Sequence, residues 1–459
     1  MDKVDRNQAF TAPLYRPGRI LSTLSFPNAF CCSNFKKRGI FCTQNNDDYV
    51  NRRFNLKKIR TGDVKLIQEL NRSIILNMIR ERGPISRSEI AKSNNISPTT
   101  VASAVQELIR EGFVQETGVG QSNGGRKPIL LKFSPDNHFM ICASISNSLI
   151  EVAKMNLARD IFEKQTLNVK ETNGQQVLAS TLEMIDRLVE ASTNMDRCIG
   201  ISVVTPGIVD RHTGVIHYNA KLGLAHMDLK SMMELRYGRK VWVENDTNAA
   251  VMAEKLTGKY GGVRNLLYIT VGDGVGAGII VNDTLLSGER GGAGEFGHTS
   301  VDRSGIRCEC GNVGCLENYV SWPAVYGRII TSISRGRGTT MLSKASVTKG
   351  AITPSVFNEA LNEGDALAVD VADEMTGYLG AGVVNLINLL NPEVIILGGE
   401  LIFESSVLFD KIYAYVAKHA LHVLSEKMHM YTSSLGQDAK LIGAASILMQ
   451  DVFHFSLAR

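Results

Sequence analysis

From residue 66 onward, apolar positions recur with a helical period: Leu66, Ile67, Leu70, Ile74, Ile75, Met78 and Ile79 share one face, and Gly83-Pro84 stops the run. Ser86-Arg87-Ser88-Glu89 then reads as a capping box that opens a short helix through Ile90 and Ala91 and ends at the Asn94-Asn95 turn. Ser97 and Pro98 start a third helix. Its Val101, Val105, Leu108 and Ile109 form an apolar stripe, while Thr99, Thr100, Ser103 and Gln106 lie on another face, and Gly112 closes it. Residues 113 to 116 and 129 to 133 alternate as the two strands of a hairpin, joined by a loop carrying Gly124-Gly125-Arg126-Lys127-Pro128. The pattern predicts a winged helix-turn-helix over residues 63 to 134, the competing reading being a helical packing module without a nucleic-acid role.

After residue 136 strands and helices alternate. Residues 140 to 145, 149 to 155, 198 to 204 and 241 to 244 are strand-like, with a helix over 176 to 190 and another following Asn245-Asp246. Residues 266 to 271 run into Gly272-Asp273-Gly274-Val275-Gly276-Ala277-Gly278, and residues 393 to 397 run into Gly398-Gly399. Apolar strands ending in glycine clusters are where α/β sheets bind ligands or phosphates.

Residues 1 to 62 carry no sustained period and read as a disordered basic extension. The 459 residues, 44% hydrophobic and 7% aromatic, suffice for several buried cores. No apolar run approaches the length of a membrane span, since the stretch from Leu379 to Leu397 is broken by Asn385, Asn388, Asn391, Pro392 and Glu393. Pro27 and Asn28 interrupt the only signal-like segment, so a cytoplasmic, nucleoid-associated protein is expected. Charge is divided unevenly. Residues 1 to 133 hold 22 Lys and Arg against 11 Asp and Glu, about +11, which leaves about −7 for the rest of a chain whose total is +4. A basic end suits a polyanion, and short polar side chains near the start of the third helix suit base edges. Ser97, Thr99, Thr100, Ser103 and Gln106, with Arg126 and Lys127 on the wing, are therefore the candidate DNA contacts.

Of eight cysteines, Cys142 and Cys198 lie in strand-like apolar runs, and Cys31, Cys32 and Cys42 fall in the N-terminal extension. The other three stand in EFGHTSVDRSGIRCECGNVGCLE, residues 295 to 317. His298, Cys308, Cys310 and Cys315 offer one nitrogen and three sulfurs, and the Cys-x-Cys-x4-Cys spacing with Gly311 and Gly314 lets the loop fold back on itself. That is the donor set of a structural Zn2+ site, one ion per chain. Glu295 and Glu317 flank it directly.

These motifs, taken in order, resemble the ROK family of bacterial sugar kinases and sugar-responsive repressors, over nearly the whole chain from about Leu66 to residue 450. The resemblance rests on ISVVTPGIVD (201 to 210), ENDTNAA (244 to 250), TVGDGVGAGIIV (270 to 281) and the EFGH to CLE segment. It implies a two-lobed actin/hexokinase-like, ribonuclease H-like domain over residues 136 to 455. Lobe 1 would span about 136 to 250 plus the C-terminal helix, and lobe 2 about 251 to 435. The winged helix in front places the chain in the regulator branch, beside the xylose and N-acetylglucosamine repressors. A sugar is gripped by groups that take paired hydrogen bonds from hydroxyls. Asn245, Asp246, Glu295 and Glu317 supply them, His298 has one ring nitrogen for metal and one for a hydroxyl, and Gly207 would let backbone approach the ring. A helix-capping task is the alternative for Asp246.

Asp246 matches the position of the family kinases' general base. Those kinases also cradle ATP phosphates with an Asp-x-Gly-Gly-Thr turn after the first strand, where this chain reads Ala143-Ser144-Ile145-Ser146-Asn147-Ser148. The acid and both glycines are missing. The expected function is a non-enzymatic repressor of carbohydrate-utilisation genes, released from operator DNA by a monosaccharide or sugar phosphate and acting as a homodimer or homotetramer. A sugar kinase and a regulator controlled by a protein partner are the alternatives.

Overall fold

The computed structural model describes residues 64–120, 127–169, 173–219, 221–347 and 351–453. The chain divides into units of residues 1–57 and 58–459, and every described residue belongs to the second. The expected N-terminal extension, with Cys31, Cys32 and Cys42, and the wing residues Gly124, Gly125 and Arg126 lie outside the described residues.

The head opens with α1 (Val64–Arg82), β1 (Ile85–Ser86), α2 (Arg87–Asn94) and α3 (Pro98–Arg110). The capping box forms as its spacing requires: the Ser86 hydroxyl accepts the Glu89 amide at 3.2 Å, and the Glu89 carboxylate accepts the Ser86 amide at 2.8 Å. Asn95 closes α2 in the left-handed conformation, φ 53°. Ile75, Ile79, Ile90, Val101, Val105, Leu108 and Leu131 bury completely or nearly so, the core of a small three-helix unit. The hairpin of β2 (Val114–Val119) and β3 (Ile129–Phe133) joins β1 in a sheet of order β1-β3-β2. β2 runs three residues past its expected end, with an irregular register between Glu116 and Val119.

Behind the head lie two five-stranded sheets with the same connectivity. The first comprises β4 (Phe139–Ile145), β5 (Leu149–Asn156), β6 (Ile161–Asn168), β7 (Cys198–Thr205) and β11 (Val241–Asn245), in the order β11-β7-β4-β5-β6. β4, β5 and β6 form an antiparallel meander, while β7 and β11 run parallel to β4. The second comprises β12 (Leu266–Val271), β13 (Val275–Val281), β14 (Thr284–Leu285), β15 (Val394–Gly398) and β16 (His429–Thr432). It repeats the arrangement: β12, β13 and β14 meander, and β15 and β16 run parallel to β12. Helix α4 (Gly174–Glu190) links β6 to β7, and a small sheet of β8 (Ile208–Asp210), β9 (Val215–Asn219) and β10 (Leu224–Asp228) with α5 (Leu229–Tyr237) links β7 to β11.

Each sheet is followed by a helix: α6 (Asp246–Leu256) after β11, and after β16 the C-terminal helix, Ala439–Phe453. These two helices pack on each other between the sheets through small residues. A Cβ on Gly443 would lie 2.2 Å from the Ala249 carbonyl oxygen, so the backbones approach closely only because Gly443 has none. Helices from Glu317 to Leu390 and from Ser406 to His419 cover the second sheet; their existence was not anticipated from sequence. Among the described residues no helix is long and apolar enough to cross a membrane.

Candidate functional site

The loop after β14 brings together His298, Cys308, Cys310 and Cys315, whose donor atoms all lie within 4.8 Å of one another. Backbone bonds close the loop: the Gly314 amide reaches the Ile306 carbonyl at 2.8 Å and the Cys308 amide the Asn312 carbonyl at 2.8 Å. Gly314 sits at φ +71°, and a Cβ there would fall 1.7 Å from the Asp302 carbonyl oxygen. No other residue fits that turn. Cys310 and Cys315 sulfurs are 3.7 Å apart, far beyond a disulfide bond. His298 turns Nδ1 to the Cys308 sulfur at 3.7 Å and Nε2 toward the Glu295 carboxylate at 3.8 Å. The four side chains could hold a metal ion, with the second imidazole nitrogen facing away from it.

On that far side the acidic residues converge. Burial, more than its neighbours, raises the Glu295 carboxyl above its ordinary range; His298 opposes the shift, and Asp246 and Glu317 add to it. Glu317 accepts the Val275 amide at 3.0 Å and the Lys221 ammonium at 2.9 Å, and Lys221 also donates to the Asp273 carbonyl at 2.5 Å. Lys221 comes from the β9–β10 turn and Glu317 from the second sheet's helical cover, so this pair spans the two halves. Asp246 is buried, 6% exposed, and receives the Lys440 ammonium at 2.6 Å. Burial acts to lower the Lys440 pKa, yet Asp246, with Glu400 and Asp273 beyond it, holds it above its ordinary value.

The helix-capping task weighed for Asp246 falls to its neighbour. Asn245 accepts the Thr247 and Asn248 amides at 2.9 and 3.0 Å and donates to the Gly207 carbonyl at 3.0 Å. Its amide group positions the start of α6 and the Gly207 turn together. Gly207, at φ +99°, has a local reason to be glycine, because a Cβ would meet the Tyr218 carbonyl oxygen at 2.4 Å. Neither Lys221 nor Lys440 was singled out from the sequence. Each is a lone lysine in an ordinary stretch, joined to its partner only when distant segments meet.

In the head, Thr99, Ser103 and Gln106 are exposed on α3 and Thr100 is half-buried. Ser97 caps that helix, its hydroxyl accepting the Thr100 amide at 3.1 Å and lying 2.9 Å from the Thr99 hydroxyl. Lys127 is exposed; Arg126 lies outside the described residues. The head is joined to the rest through the C-terminal helix. Phe453 meets Phe113 and Phe133 edge-on at 5.5 and 6.5 Å, and its carbonyl accepts the Ser73 hydroxyl at 2.6 Å and the Asn77 amide group at 3.3 Å.

Comparison with known proteins agrees with this division. The ROK family model matches residues 141–451, and a winged helix-turn-helix DNA-binding model matches residues 71–115. The xylose repressor of Caldicellulosiruptor bescii is 30% identical over 396 residues, 86% of this chain and 99% of that protein. Among solved structures, a ROK family transcriptional regulator, a homologue of the E. coli MLC protein, superposes with a TM-score of 0.73 at 28% identity, covering 84% of this chain and 97% of its own. A ROK family glucokinase from Streptomyces griseus, solved with glucose and AMPPNP, gives 0.61 at 26% identity and covers 67% of this chain and 98% of its own.

Proposed function

Because the chain belongs to the ROK family, we propose that it is a sugar-responsive transcriptional repressor: α3 and the wing hold operator DNA, and a sugar bound beside the His/Cys loop releases it. The carrying observation is that the convergent acidic site and a DNA-binding head occur in one chain, with the end of the C-terminal helix seated among the head's aromatic rings. Asp246, Glu295 and Glu317 take hydroxyl hydrogens, His298 offers Nε2, and Asn245 and Gly207 shape the adjoining turn. Ser97, Thr99, Thr100, Ser103, Gln106, Arg126 and Lys127 are the DNA-facing set, with Ser97 acting through the helix start it caps. A palindromic operator would be read by a homodimer.

Zinc suits the cluster. Bonds of about 2.3 Å to sulfur and 2.1 Å to nitrogen in a tetrahedron place two sulfurs about 3.8 Å apart and a sulfur and nitrogen about 3.6 Å apart. The corresponding separations here are both 3.7 Å. The ion would stiffen the loop and fix which imidazole nitrogen faces the sugar.

The kinase alternative is disfavoured at the turn between β4 and β5. Ser146 closes it on itself, its hydroxyl taking the Leu149 amide at 3.0 Å, where phosphate binding needs free amides and glycine. Two measurements test the assignment. Operator affinity at fixed salt should fall when a sugar from a panel of D-xylose, D-glucose, N-acetylglucosamine and their phosphates is added. A coupled assay should show no sugar-dependent ATP turnover; turnover abolished by Asp246→Ala would return the chain to the kinases.

A further inference from the structure

Two contacts at opposite ends of one helix connect the sugar site to the DNA-binding head. Lys440, in the first turn of the C-terminal helix, donates to Asp246 at 2.6 Å, and Phe453, in its last turn, is locked among Phe113, Phe133, Ser73 and Asn77. The helix is continuous over 15 residues, and the stretch from Lys440 to Phe453 is about 20 Å at 1.5 Å per residue. Its flank is closely packed: a Cβ on Gly443 would meet the Ala249 backbone, and Asp451 accepts the Trp242 indole N–H at 3.0 Å. The Phe453 carbonyl belongs to the last described turn of the helix. That two side chains of α1 supply donors ties the position of the helix end to the head.

We propose that Lys440 is the positioning residue of the sugar-binding Asp246 and that, through it, the C-terminal helix carries the state of the sugar site to α1 and α3. The inference rests on the reading of Asp246 as a sugar ligand for its direction, but not for the mechanical link. A buried carboxylate needs a donor, and with no sugar present Lys440 is the cation that supplies one, the nearby Thr247 hydroxyl standing 3.4 Å away. A sugar hydroxyl donating to the same carboxylate shares it with the ammonium. The ammonium then resettles toward Glu400 and Asp273, the other carboxylates acting on it, and the first turn of the helix moves with it. A helix packed on small residues shifts as a body, so Phe453 changes its seat in the head. The coupling is reciprocal: operator DNA holding the head in one position must weaken sugar binding by the factor by which sugar weakens operator binding.

The deciding measurement uses the full chain without sugar. Lys440→Met should speed amide exchange of residues 73–79 in α1 at least fivefold, whereas Lys344→Met, which breaks a two-carboxylate pair in the second sheet's helical cover, should leave it within twofold. Lys440→Arg, retaining the charge, should restore most of the protection and guards against misfolding as the cause. Exchange in α1 unchanged by Lys440→Met overturns the proposal. With a panel sugar that binds wild type, Lys440→Met should weaken sugar affinity at least tenfold. Phe453→Ala should leave sugar affinity within twofold while removing most of the sugar's effect on operator affinity; a full sugar response in Phe453→Ala also overturns it. Failure of the functional reading looks different: wild type ignores every sugar, yet the exchange difference between Lys440→Met and Lys344→Met persists.

Discussion

The two five-stranded sheets share one connectivity, so the turn between β4 and β5 and the turn between β12 and β13 occupy the same place in each. The first is Ser146-Asn147-Ser148, and its bonds stay beside its own sheet: Ser146 exchanges backbone and hydroxyl contacts with Leu149 at 2.8 to 3.0 Å, and the Ser148 carbonyl accepts the Val169 amide at 2.8 Å. The second is Gly272-Asp273-Gly274, which closes through the Gly272 amide and the Gly274 carbonyl at 3.0 Å and also bonds to distant segments. Gly272 accepts the Trp322 amide at 2.7 Å, Asp273 accepts Lys221, and the following Val275 amide meets Glu317. Glycine at a strand end is therefore no sign of nucleotide here. The second turn keeps its glycines while serving the metal loop and the acidic site; the first, with no such partner, has filled with serines. Of the two equivalent turns, the second is the one that bonds to Glu317, an acid of the proposed sugar site.

The sharpest test of that asymmetry removes the metal loop. Cys310→Ser leaves a three-ligand cluster, and His298 and Glu317, at the loop's two edges, lose their fixed positions. Sugar affinity is expected to fall about 100-fold, ~2.7 kcal/mol, by calorimetry, and prolonged chelation of wild type should do the same. Operator binding without sugar should stay within threefold, because the head packs in one hydrophobic core while Phe296, Leu316 and Tyr319, beside the His/Cys loop, pack in another. Sugar response surviving complete metal removal would show that the loop is only a clip.

A matched pair of substitutions compares the turns directly. At Gly274 a Cβ would stand 3.2 Å from a Glu317 carboxylate oxygen, tight enough to displace it, and 3.6 Å from the Lys221 nitrogen, an ordinary contact. Gly274→Ala should cost about fivefold in sugar affinity, ~1 kcal/mol. Ser148→Ala, at the corresponding edge of the first turn, should change it less than twofold. Equal effects at the two positions would mean that both turns still face ligand.

How much of this was visible in the chain follows from the range of the interactions. The capping box at Ser86, the caps of α3 and strands β4, β5, β7, β11, β12 and β15 are set by near neighbours and by apolar runs, whereas β6, β13, β14 and β16 carry no such mark; the spacing of His298, Cys308, Cys310 and Cys315 announces their meeting. The Asn245-Asp246 pair shows where local reading stops. Either residue can cap a helix, and only the folded chain, with Gly207 on one side and Lys440 on the other, assigns the cap to Asn245. Lys440 is 194 positions from Asp246 and Lys221 lies 52 from Asp273. No periodicity marks a lysine whose partner is placed by the packing of two sheets.

Lys221 provides the finest test of the contrast. Its ammonium sits between Glu317 and the Asp273 carbonyl, so it joins the β9–β10 turn of the first half to the β12–β13 turn of the second. The side chain is 29% exposed and that of Glu317 15%, so water screens part of the attraction and the pair is worth only about 0.5 to 1 kcal/mol. Lys221→Met keeps most of the stem and removes the charge. Glu317 would retain the Val275 amide but lose its second donor, and the energy needed to orient it would then come from the sugar. Sugar affinity is expected to drop two- to fivefold, with less salt dependence than wild type, because the lost attraction is the screened one. A gain in affinity would reverse the assignment: Lys221 would then be a competitor that sugar displaces, and the second turn would be held shut rather than held ready.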